Sequence, residues 1–97
     1  MYVAQNTATV QPDRLDEAIG IYREQVVPRI KQLPGLQSIR VLVDRTTGTA
    51  IAIATYDTEA HARAAETTPQ YQQVAGLLAQ LLTSPPQRMF YEVALDA

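Results

Sequence analysis

The 97-residue chain contains no cysteine and no tryptophan, and only one histidine and one phenylalanine. Without cysteine there can be no disulfide, no thiolate nucleophile and no zinc site built on thiolates. One histidine is too few for the common multi-histidine metal sites, so no metal is expected. Basic charge is also scarce: 8 Lys and Arg stand against 10 Asp and Glu, for a net charge of -2. A nucleic-acid partner would require a basic stripe and is not expected. Long apolar runs are missing as well. The stretch "VAGLLAQLL" has about half the length that a membrane-crossing helix needs, so no membrane partner is expected. The chain enters a strand pattern almost at Met1, with no basic region leading into an apolar signal, and a cytoplasmic protein is the expectation. Its two serines, Ser38 and Ser84, lie in no nucleophile motif.

What is present is ordinary for a globular chain, with 46% apolar and 19% charged residues. The length predicts one domain over residues 1–97. Such a chain buries roughly 60–68% of the surface its unfolded form exposes, so an oligomeric interface would supplement a modest core.

The first strand-like stretch is "YVAQNTATV", residues 2–10. At a period of two, Tyr2, Ala4, Asn6, Ala8 and Val10 share one face, and Val3, Gln5, Thr7 and Thr9 share the other. Asn6 is therefore an amide inside an apolar set. "QPDRLDEA" then signals a helix start, with Asp13 as the expected cap. Leu15, Ile19, Tyr22, Val26, Ile30 and Leu33 form its apolar stripe. Pro28 lies within that periodicity and predicts a kink near Glu24 rather than an end. "LPG" at 33–35 stops the helix.

Strands are predicted over 36–44 and 49–57, joined by a hairpin containing Gly48. In the second of them, Ala50, Ala52, Ala54 and Tyr56 share a face, while Ile51, Ile53 and Thr55 share the other. A helix follows from Asp57 or Thr58, is interrupted at Pro69 and resumes through "PQYQQVAGLLAQLL". Tyr71, Val74, Leu78 and Leu81 form its stripe, widened by Leu77 and Leu82. "TSPPQ" ends it, and residues 88–97 form the last strand.

This order is β-α-β-β-α-β, an α+β ferredoxin-like two-layer sandwich with a four-stranded antiparallel sheet and two helices on one face. Ile51 and Ile53 imply cover on the other face too, since an exposed isoleucine forfeits about 1.5–3 kcal/mol. The simplest cover is the sheet of a second copy, giving a homodimer through the sheet face.

The segment "VVPRIKQLPGLQSIRVLVDRTTGTAIAIATYDTEAHARAAE" resembles the antibiotic-biosynthesis-monooxygenase-like group of dimeric α/β-barrel proteins. The matching features are Pro28 late in the first helix, Pro34-Gly35 before Leu36, the Asp44–Gly48 hairpin, and Tyr56-Asp57-Thr58-Glu59-Ala60. The resemblance implies a homodimer whose sheets form a barrel, with a pocket between sheet and helices in each subunit. It also implies oxidation of phenolic, anthrone or quinol compounds by dioxygen without metal or flavin, and hence no cofactor. Asn6 falls where the family places a strand-1 asparagine in the pocket. Where a haem-degrading branch carries tryptophan and an axial histidine, this chain has Ala65 and Ala75, which argues against haem degradation.

For such chemistry the candidate residues are Asn6 as a donor to the substrate oxygen and His61 as the base nearest neutral pH. Tyr22 and Tyr71 would stack on a ring and place hydroxyls beside it. Each has a plainer alternative: a satisfied buried amide for Asn6, a solvated or capping role for His61, and core packing for the tyrosines. Arg40 is a candidate to pair with Glu92 across an interface. A possible cofactor-free monooxygenase therefore stands beside a non-catalytic ligand-binding or regulatory homodimer with the same pocket.

Overall fold

The computed structural model describes Met1–Ala97. Four antiparallel strands form one sheet: β1 (Tyr2–Thr9), β2 (Leu36–Asp44), β3 (Thr49–Tyr56) and β4 (Gln87–Glu92), in the order β2-β3-β1-β4. The helices are α1 (Leu15–Ile21), α2 (Val27–Ile30), α3 (Glu59–Ala64) and α4 (Pro69–Ala79). This is the ferredoxin-like arrangement expected from the sequence. The last strand is shorter than its pattern suggests, ending at Glu92, and the first ends at Thr9 with Val10 bridged to Leu82.

The register confirms the faces of β1. Ala4, Asn6 and Ala8 oppose Ala54, Ala52 and Ala50, and the alanine face of β3 points towards the helices. On β2 a bulge between Leu36 and Ser38 shifts the pairing. A bulge inserts one residue and so changes which side the preceding side chain faces. Leu36 consequently packs on the helix-side core, not beside Arg40 and Leu42 as strict alternation predicts. Arg40 opposes Ile53 on the open side, whereas Glu92 opposes Tyr2 at the far edge strand. Opposite edges of the sheet keep Arg40 and Glu92 from pairing within the chain.

Pro28 does not end its helix. It lacks the N–H that would bond four residues back, and the preceding turn, Tyr22–Val26, widens to a π-helix in which the Val27 N–H donates to the Tyr22 carbonyl. The kink expected near Glu24 is thus a π-turn. Entry into α1 also differs from expectation. A 3-10 turn, Pro12–Arg14, leads into it without side-chain capping, so Asp13 is not the cap. Thr58 and Thr68 do cap α3 and α4, accepting from the N–H groups of His61 and Tyr71. The extra residue of the π-turn shifts the helical phase, and Ala18 rather than Ile19 is buried with Leu15. Leu77 points outward from α4.

Two turns rely on glycine. Gly35 and Gly48 both have φ of 78°, where a side chain would be strained. A Cβ on Gly48 would strike the Val10 carbonyl, and one on Gly35 would strike the Asp57 and His61 side chains.

The core consists of two clusters. One gathers Ala4, Val26, Ile30, Leu33, Tyr56, Ala62, Ala65 and Val74; the other Val10, Leu15, Ala18 and Leu81. Both supply walls to a single cavity between sheet and helices. The open face of the sheet keeps Leu42, Met89 and Tyr91 more than two-fifths exposed. No helix is long and apolar enough to cross a membrane.

Candidate active site

The cavity has a volume of about 160 Å³ and 22 lining residues, 19 of them hydrophobic. It exists because small side chains meet there: Ala4 and Ala8 from β1, Ala50, Ala52 and Ala54 from β3, and Ala75 and Ala79 from α4. Close packing would otherwise close such a gap. Its polar groups are Asn6, Arg88 and the hydroxyls of Tyr22, Tyr56 and Tyr71.

Asn6 lies at the centre of β1, with Ala52 as its partner on β3 and Arg88 on β4. Directly opposed residues of an antiparallel pair share a face, so both neighbours flank the amide on the cavity side. Ala52 leaves room, and Arg88 brings charge. Tyr71 comes from the first turn of α4, whose start is fixed by the Thr68 hydroxyl accepting the Tyr71 N–H at 3.2 Å. Asn6 Nδ2 donates to the Tyr71 hydroxyl at a long 3.4 Å, and Arg88 Nη1 donates to the same oxygen at 3.2 Å. With both donors directed at that oxygen, the tyrosine's own proton is left to donate elsewhere.

Arg88 is held mostly by ring faces. Its Cζ lies 4.7 Å from the centre of the Tyr71 ring and 5.0 Å from that of Phe90, whose ring also meets the Arg63 guanidinium at 4.5 Å. Glu66 Oε2 comes within 3.1 Å of Arg88 Nε, but off the line of the N–H bond, so the contact is an ion pair without a hydrogen bond.

Tyr22 projects from the π-turn. Burial, with a smaller effect of Tyr71, pushes its hydroxyl up to about 12. Burial also raises Tyr56, partly offset by the charge of Arg88. Both remain neutral phenols near neutral pH.

The structure thus brings together Asn6, Tyr22 and Tyr71 but not His61, which is not among the cavity's residues. Its Nδ1 lies 2.6 Å from Asp57 Oδ1, and its backbone N–H donates to the Thr58 cap. The helical phase set by that cap directs the imidazole to the Gly35 turn. Hydrogen bonding from His61 holds the Asp57 carboxyl below its usual range. No group of three or more His, Cys, Asp or Glu side chains converges anywhere to hold a metal.

Arg88 was not a candidate from sequence reasoning. The available signal was the alternation of "RMFYE", which sets Arg88 and Phe90 on one face and Met89 and Tyr91 on the other. Recognising its importance also required the β1–β4 register that places it beside Asn6.

A model of the antibiotic biosynthesis monooxygenase family matches residues 1–76. An uncharacterised protein of Mycobacterium tuberculosis strain H37Rv is 44% identical over 48 residues, covering 50% of this chain and 21% of that relative. The match spans only about a fifth of the relative's length. Among solved structures, a Streptomyces coelicolor monooxygenase in complex with nanaomycin D superposes with a TM-score of 0.81 and 20% identity, covering 99% of this chain and 92% of that one. Another Mycobacterium tuberculosis protein gives a TM-score of 0.77 at 14% identity over 99% and 97% of the two chains. At these identities the structural likeness establishes the fold.

Proposed function

The chain belongs to the antibiotic biosynthesis monooxygenase family, and on that premise we propose that it oxygenates an aromatic, phenolic or quinol small molecule, anthrones included, without a cofactor. The observation that carries this reading is the convergence of Asn6, Tyr71 and Arg88 at one corner of a largely apolar cavity. It shares its fold with a monooxygenase whose structure is in complex with nanaomycin D.

Such a substrate supplies its own electrons. An anthrone methylene and one dioxygen yield a carbonyl and one water, so atoms and electrons balance without an external reductant. A phenol and dioxygen likewise yield a quinone and water. The protein's part is to bind the ring, exclude water and stabilise negative charge as it develops on the substrate oxygen. The second N–H of Asn6 Nδ2 and the free proton of Tyr71 are the donors proposed for that oxygen. Tyr22 and Tyr71 flank the ring, and the alanines of β3 give a flat molecule room. The working form is a homodimer through the open sheet face, supported by Ile51, Ile53, Leu42, Met89 and Tyr91 on that side.

A non-catalytic ligand-binding or regulatory homodimer is the second reading. One observation favours it: no histidine or carboxylate lines the cavity to take a proton. Oxygen uptake over a panel of phenols, anthrones and quinols, with chelator present and flavin absent, separates the two. Turnover of a panel member is expected. Saturable binding without uptake by any of them would favour the second reading.

A further inference from the structure

The guanidinium of Arg88 is poorly compensated for its surroundings. Its side chain is 15% exposed, and its only hydrogen-bond acceptor is the neutral hydroxyl of Tyr71. Nε and Nη2 are inaccessible to solvent and have no hydrogen-bond partner. Glu66, its ion-pair partner, is 45% exposed and misaligned, so water screens that charge from the outer side. On the inner side no Asp or Glu lines the cavity. A positive charge in an apolar wall interacts strongly with any charge placed before it, because the local dielectric is low.

The neighbouring groups have the matching polarity. The Tyr71 hydroxyl accepts from Asn6 and Arg88 and keeps its proton to give. Asn6 Nδ2 has a second N–H. With three donor groups at one corner and no anion among the lining side chains, we infer that the cavity takes an aromatic ligand bearing an anionic oxygen, seated at the Tyr71–Arg88 corner. This rests on the reading of the cavity as the ligand site and narrows its substrate class. It also accounts for the absence of a histidine or carboxylate base, since a ligand that arrives ionised needs none to remove its first proton. Arg88 and Tyr56 both line the cavity, and the charge of Arg88 partly offsets the rise that burial imposes on the Tyr56 hydroxyl.

Direct binding tests this with isosteric pairs that differ in charge. By calorimetry near neutral pH, 2-naphthoate is compared with neutral 2-naphthamide, and pentafluorophenol, ionised there, with pentafluoroaniline. At least one anion is expected to bind tenfold or more tightly than its neutral partner. Preference in the first pair alone assigns a carboxylate, in the second alone a phenolate, and in both either oxygen anion. The preference should vanish in Arg88→Gln and persist in part in Arg88→Lys, with circular dichroism confirming that each variant is folded. Equal affinities within both pairs, or a preference unchanged in folded Arg88→Gln, overturns the inference and leaves the cavity reading intact. Should Arg88→Gln fail to fold, the wild-type pairs and Arg88→Lys decide, and an undiminished preference in the lysine variant counts against it. Failure of all four probes to bind overturns both.

Discussion

Tyr71 owes its place to three residues, one a single helical turn before it and two distant in sequence. Thr68 fixes its backbone, and Asn6 and Arg88 hold its hydroxyl. A phenol fixed this way presents its proton in one direction, and a fixed donor stabilises charge without reorganising. Tyr22 faces the same space from the π-turn, where burial raises its titration to about 12. In the folded protein it keeps its proton in a pH range where an unfolded tyrosine loses it. Alkaline conditions therefore favour the unfolded state increasingly as pH rises from about 10 towards 12, by up to about 1.4 kcal/mol per unit. Ultraviolet difference titration should show one tyrosine ionising near the upper end of that range, missing in Tyr22→Phe. A spectrum in which that late step survives the substitution would assign it elsewhere.

At the scale of elements, caps and turns decide which side chains reach the cavity. The Thr68 hydroxyl satisfies one of the donors left free at the start of α4 and sets the helix phase that aims Tyr71 inward. Thr68→Ala should cost about 1 kcal/mol in urea unfolding. It should also weaken aromatic ligand binding, whereas a purely structural cap would leave binding by the folded fraction unchanged. At the start of α3, the Asp57–His61 pair joins the helix to the Gly35 turn, where the Asp57 N–H donates to the Gly35 carbonyl at 2.9 Å. Asp57 titrates below its ordinary value of 3.8. The stability it contributes is present above that value and is lost as pH falls through the depressed one. Thermal melts of Asp57→Asn should show a shallower decline on the acid side than the parent protein, and parallel acid limbs would remove the pair from the account. His61 and Arg88 mark where sequence reasoning reached its limit. Alternation marked Asn6 as an amide in an apolar face, because a strand has only two faces, and the family resemblance implied its place in a pocket. The direction of His61 depends on where the cap starts the helix, and the importance of Arg88 depends on strand register, neither of which local periodicity supplies. The bulge at Gln37 places Leu36 on the helix side for the same kind of reason: one inserted residue reverses an alternation that otherwise looks regular.

For the whole molecule, the topology was legible because hydrophobic periods changed cleanly between two and 3.6 along the chain, with proline and glycine at the boundaries. The two-sided apolar character of β3 was legible too. Its alanine side faces the cavity, and its isoleucine side faces outward with Leu42, Met89 and Tyr91. Such a face on a chain of this size is the surface by which two sheets would close on each other. Ile53→Glu should shift the mass seen by light scattering from dimer to monomer at micromolar concentration, because the interface would bury an unpaired charge. A parent protein that is already monomeric would remove the dimer from the account. The size of the cavity could not be foreseen, since it depends on alanines from β1, β3 and α4 meeting in three dimensions.

The central claim is that Asn6 and its partners in this cavity promote oxygen transfer to an aromatic substrate. The most direct measurement is single-turnover reaction with isotopically labelled dioxygen and an anthrone, with mass analysis of the product. The account predicts one labelled oxygen atom in the product carbonyl and a rate about 100-fold lower in Asn6→Ala, the loss typical of removing one oxyanion donor. Product without label, or a folded Asn6→Ala protein that reacts at the parent rate, would contradict it.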